Sequence, residues 1–84
     1  MSEVIVYTKT YCPYCDRAKD LLKRKNAPYK EVLLQSQQEF NELKQKTGMM
    51  TVPQIFINGD LVGGYSELSD LDQKGELDSL LKGS

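Results

Sequence analysis

Val4-Ile5-Val6-Tyr7-Thr8-Lys9-Thr10-Tyr11-Cys12-Pro13-Tyr14-Cys15 is the stretch from which the rest of this chain can be read. Val4 to Thr8 is a continuous apolar, β-branched run, the mark of a strand buried on both faces. After Pro13 the period changes, and Tyr14, Ala18, Leu21 and Leu22 share one stripe of a helix. Lys23-Arg24-Lys25 falls in the last turn of that helix, where cations suit the dipole, and Asn26 with Pro28 closes it. The only two cysteines, Cys12 and Cys15, therefore stand where a strand hands over to a helix.

Reading outward, a second strand is expected over residues 29–34. Ser36-Gln37-Gln38-Glu39 has the form of a capping box, and Phe40, Leu43 and Thr47 continue at helical spacing until Gly48. Two short strands, Gln54–Ile57 and Asp60–Gly63, are joined by Asn58-Gly59, the strongest two-residue hairpin signal. The remainder reads as one or two short helices, with Leu68 and Leu71 before the break at Gly75 and Leu77, Leu80 and Leu81 after it. The order β-α-β-α-β-β-α predicts an α/β fold. Its first two strands should be parallel with a right-handed crossover, and the hairpin should extend the same sheet to four mixed strands.

Eighty-four residues allow one domain, expected to span 1–84, with little spare stability. A hydrophobic content of 39% with six glycines is ordinary globular composition and argues against a disordered chain. No apolar run approaches 18 residues, so no membrane association is expected. The start lacks a basic n-region followed by a long apolar segment, which makes the cytoplasm the expected compartment. A net charge of −1 does not suggest a nucleic-acid binder. The charge is nevertheless uneven: residues 1–30 hold seven basic and three acidic groups, and residues 51–84 hold two and six. The basic end surrounds the cysteines.

Three readings compete for Cys12 and Cys15. A closed zinc site takes four ligands, and two cysteines without any histidine fall short unless a second subunit or carboxylates contribute. A structural bridge closing so short a loop would stabilise by only about 2 kcal/mol, and a reducing compartment would open it. A redox pair at a strand-to-helix turn fits the context best. With Pro13 at the first helical position, Cys12 is the N-cap, so free N–H groups and the positive end of the dipole face its sulfur. Lys9 could add a nearby cation, whereas Asp16 would oppose a thiolate if it approached. Cys15 lies about one turn on, within bridging reach and pointing inward.

A lowered pKa acts mainly on departure. At pH 7 a thiol near 8.5 is about 3% ionised, and lowering it to about 5 gives about 30-fold more thiolate. Intrinsic nucleophilicity falls by about 40-fold over the same range, so attack gains little. A stable thiolate leaves a mixed disulfide faster, which suits turnover through one.

Lys9-Thr10-Tyr11-Cys12-Pro13-Tyr14-Cys15, then Thr51-Val52-Pro53, then Gly63-Gly64 followed by Tyr65-Ser66-Glu67-Leu68, resembles a glutaredoxin of the dithiol class. The resemblance is closest to the small bacterial glutaredoxins and covers essentially the whole chain. It implies a thioredoxin-like fold, glutathione as electron donor and no metal. It also implies a monomer acting on glutathionylated or disulfide-containing proteins. By the same resemblance Cys12 is the nucleophile and Cys15 the resolving thiol. Lys9 and Tyr14 would face the glycine end of glutathione, and Thr51 and Val52 would precede a cis Pro53, the Val52 backbone pairing with the cysteinyl unit. Gly64, Tyr65, Ser66 and Glu67 would form a helix N-terminus receiving the γ-glutamyl carboxylate. That is physically sensible, because free N–H groups bind an anion there and Glu67 could meet the α-ammonium.

Two positions depart from the family pattern. Glu67 stands where the family usually has Asp, and Phe40 where relatives often carry Gln or Arg reaching the glycine carboxylate. Phe40 cannot make that bond and is expected in the core, with Gln37 or Gln38 as candidates for the lost contact. Two other functions remain open. One is a glutaredoxin-like protein recycled by thioredoxin reductase. The other is a dimeric iron–sulfur carrier, which Pro13 disfavours.

Overall fold

The computed structural model describes residues 3–82. The elements follow in the order β1 (Val4–Thr8), α1 (Pro13–Arg24), β2 (Lys30–Leu33), α2 (Gln37–Thr47), β3 (Gln54–Ile57), β4 (Asp60–Gly63), α3 (Tyr65–Gln73) and α4 (Leu77–Lys82). The last helical stretch is thus two helices. The strands form one mixed sheet in the order β2-β1-β3-β4, with β1 and β2 parallel and the other pairs antiparallel. This is the expected thioredoxin-like α/β arrangement.

Local chemistry accounts for most element ends. The side chain of Ser36, extended at φ −141°, accepts from the Glu39 amide at 3.1 Å and so starts α2. Asn26, in the left-handed region at φ 56°, ends α1 while the Ala27 amide bonds back to the Leu22 carbonyl at 3.0 Å. Asn58 and Gly59 both take positive φ, 54° and 85°, as a tight hairpin with matching twist requires.

The core differs from the sequence reading in three places. It is built on one face of the sheet, from Val4, Val6, Ile55 and Ile57 against Ala18, Leu21, Leu22, Leu68 and Leu77. Only that face of β1 is fully buried, because Ile5 and Tyr7 point to the other side and are half-covered. Tyr7 meets Phe56 there edge to face, centroids 5.7 Å apart. Phe40 is only half-buried and stays outside the core, since α2 buries Leu43 alone. On α1 the buried stripe is Cys15, Ala18, Leu21 and Leu22, and Tyr14 is turned out with 56% of its surface exposed.

The uneven charge along the sequence is used in the fold. Lys25, at the end of α1, pairs with Asp72 of α3 and, at 3.3 Å, with Asp78 of α4, joining the basic and acidic ends of the chain. Strand directions then decide where the loops gather. Tyr7 pairs with Gln54, and Ile55 with Gly63. The end of β1, the start of β3 and the end of β4 therefore share one end of the sheet, and the start of α1 is at the same end.

Candidate active site

Cys12 and Cys15 are joined by a disulfide, their Cα atoms 5.1 Å apart. Cys12 is the N-cap of α1 with extended backbone, φ −121° and ψ 94°, and Pro13 follows at the first helical position. The Cys15 amide donates to Cys12 Sγ at 3.1 Å, and the Asp16 amide to the Cys12 carbonyl at 3.1 Å. The sulfur thus faces the positive end of a twelve-residue helix. When the bridge is opened, the same N–H group stabilises an anion on that sulfur. Cys12 is 8% exposed and Cys15 1%, so an incoming disulfide reaches Cys12 first.

One other group bears on that sulfur. The Val52 carbonyl oxygen lies 3.8 Å from Cys12 Sγ; a reduced thiol can donate to it, and a thiolate would meet the negative end of its dipole. Asp16 is paired with Lys19 at 3.6 Å. Tyr11, one residue before Cys12, takes a positive φ of 55° and is 94% exposed. Nothing in the sequence pattern announces this left-handed turn.

Beside the disulfide runs a groove of about 400 Å³ lined by Tyr14, Met49, Thr51, Val52, Pro53, Gly64, Tyr65, Ser66 and Glu67. Eight of the expected residues meet in it, from the start of α1, the loop before β3 and the start of α3. The Val52-Pro53 bond is cis. Tyr14 stands between Arg17, 5.1 Å from its ring centroid, and Tyr65, whose ring centroid is 6.3 Å away. Lys9 is exposed and is not among the lining residues. Gln37 and Gln38 are engaged along α2 with Asn41 and Glu42, and neither lines the groove. Met49 is the lining residue that the sequence reading passed over. Only its place just before Thr51-Val52-Pro53 could have signalled it.

The helix N-terminus at the far end of the groove is partly occupied by its own chain. Gly64 is the N-cap of α3, and its amide donates to Glu67 Oε1 at 2.7 Å. This is half of a capping box, since Gly64 has no side chain to reciprocate. The free donors are therefore those beyond Gly64. Among the described residues no group of three or more His, Cys, Asp or Glu side chains could hold a metal ion. No helix there is long and apolar enough to cross a membrane.

Comparison with known proteins agrees with this geometry. A sequence model of the glutaredoxin family matches residues 4–62. The glutaredoxin of Pseudomonas aeruginosa is 45% identical over 82 residues, covering 96% of this chain and 98% of that protein. Glutaredoxin 3 of Escherichia coli K12 is 43% identical over 83 residues, covering 98% and 100%. Among solved structures, the buckwheat glutaredoxin–glutathione complex superposes with a TM-score of 0.89 at 34% identity, covering 96% of this chain and 77% of that one.

Proposed function

This chain belongs to the glutaredoxin family and is a thiol–disulfide oxidoreductase with a redox-active disulfide, and from that premise we propose that glutathione is its reductant. The observation that carries the reading is the groove of about 400 Å³ whose wall residue Val52 lies 3.8 Å from Cys12 Sγ. Its size suits a tripeptide held next to the reacting sulfur, and the buckwheat neighbour was solved with glutathione. In this reading the Val52 backbone pairs with the cysteinyl unit, with Thr51 and Pro53 shaping the wall. The amides that open α3 beyond the capped Gly64, at Tyr65 and Ser66, face the γ-glutamyl carboxylate, Gly64 lets the backbone approach, and the second oxygen of Glu67 faces the α-ammonium. Tyr14 and Lys9 serve the glycine end.

The chemistry balances without a metal. The Cys12 thiolate attacks the glutathione sulfur of a protein mixed disulfide, forming a Cys12–glutathione bond and releasing the protein thiolate. A second glutathione thiolate attacks that bond, restores Cys12 and leaves as oxidised glutathione. On a protein disulfide, Cys12 first bonds to one substrate sulfur. Cys15 then displaces it and closes the Cys12–Cys15 bridge, which two glutathiones reopen. The chain acts as a single-domain monomer in the cytoplasm on glutathionylated or disulfide-bonded proteins.

The test compares Cys12→Ser and Cys15→Ser on a glutathionylated peptide, with glutathione and glutathione reductase recycling. Cys12→Ser is expected to be inactive and Cys15→Ser to retain substantial activity. Equal loss in both variants would reject the mechanism. Wild-type turnover supported only by thioredoxin reductase, and not by glutathione with its reductase, would reject glutathione as the reductant.

A further inference from the structure

Gln54 opens β3 directly after Pro53 and is fully buried, with 0% of its surface exposed. Its Nε2 donates both hydrogens into the preceding loop, to the Met49 carbonyl at 3.2 Å and to the Thr51 carbonyl at 3.0 Å. Its Oε1 is buried with no hydrogen-bond partner. Chemistry fixes which way the amide faces, because exchanging O and N would set an acceptor against two carbonyl oxygens. As core filling this glutamine is a poor choice. A buried acceptor without a donor is unfavourable, and an apolar side chain of similar shape would avoid that cost. What the glutamine adds is a two-pronged hold on one loop. That loop supplies Met49, Thr51, Val52 and Pro53 to the groove wall.

We propose that Gln54 is a positioning residue that sets the groove's specificity for its tripeptide, by clamping the Met49 and Thr51 carbonyls. The inference rests on the glutathione reading of the groove. Backbone pairing at Val52 depends on where the loop stands. Sulfur-to-sulfur attack depends more on Cys12 and the start of α1, to which the two Gln54 hydrogen bonds do not run. Loosening the loop should therefore weaken glutathione binding more than it slows the chemical step.

Two variants and three readouts test this. Gln54→Met keeps the volume and removes both donors. Gln54→Glu keeps the shape and offers a single O–H donor only when protonated. For Gln54→Met the KM for glutathione is expected to rise by about five- to tenfold, the loss of a hydrogen-bonded contact, while kcat changes by less than about twofold. Backbone amide exchange over residues 50–52 should accelerate, and Tm should fall by only a few degrees, because two hydrogen bonds are lost while the unpartnered acceptor is removed with them. Gln54→Glu should recover toward wild-type KM as pH falls and its carboxyl is protonated. An unchanged KM, or KM and kcat deteriorating together by similar factors, would overturn the proposal. If wild type shows no turnover with glutathione, the reading of the groove fails and exchange decides the clamp. Faster exchange at 50–52 would then support it, and unchanged exchange would refute it.

Discussion

Gly63 shows how one residue without a side chain can matter to a site it never touches chemically. Its φ of +125° is a conformation that L side chains rarely adopt. A Cβ built there would stand 2.7 Å from Glu67 Oε1 and 2.9 Å from Glu67 Cγ. The same oxygen caps the Gly64 amide at 2.7 Å, so a methyl group at residue 63 displaces the cap of α3 as well as straining the backbone. Gly63→Ala is expected to cost about 2 kcal/mol, roughly 10 °C in Tm, read by thermal denaturation. A shift within about 1 °C would contradict this account of the turn. Single residues were also where the sequence was least legible. Cys12 as N-cap followed from Pro13 at the next position, a purely local signal. That Glu67 folds back on Gly64, or that Tyr11 turns left-handed, depends on contacts that no spacing rule contains.

At the scale of elements, the start of α1 is held by more than its cap. Thr8, the last residue of β1 and 1% exposed, donates its hydroxyl to Glu31 Oε2 of β2 at 2.7 Å. Lys19 of α1 donates to the same oxygen at 3.1 Å. The Thr8 hydrogen bond, seconded by Lys19, holds the Glu31 carboxyl below the usual carboxylate range. A carboxyl lowered in the folded state stabilises fully above its unfolded pKa of about 4.3, and that contribution is lost as pH falls through the folded value. Glu31→Gln should therefore be less stable than wild type at pH 7. The deficit should be at most about 1 kcal/mol, since the side chain is 37% exposed and screened by solvent. It should vanish in strong acid, as denaturant unfolding at both pH values would show; a deficit independent of pH would count against the carboxylate's role. Element types and most boundaries were readable because caps, the Asn58-Gly59 turn and the helical period are local features. The uneven covering of the sheet was not. Phe40 and Ile5 have core composition, but α2 buries only Leu43, which a one-dimensional pattern does not reveal.

Across the whole molecule, strand direction creates the site. One parallel and two antiparallel pairings bring residues 12–15, 49–53 and 63–67 to the same end of the sheet, though about 50 residues separate the first from the last. No periodicity in the chain predicts that meeting. It was legible through the family resemblance, whose three motifs became three sides of one groove. The charge imbalance, by contrast, was visible in composition but could not be interpreted until Lys25 was found between Asp72 and Asp78. All of the proposed chemistry depends on a sulfur held as an anion where α1 begins, within reach of that groove. The most direct test is the pH dependence of alkylation of Cys12 in reduced Cys15→Ser protein. The account predicts an ionisation midpoint well below the value of about 8.5 for free cysteine. A midpoint at or above that value would contradict it.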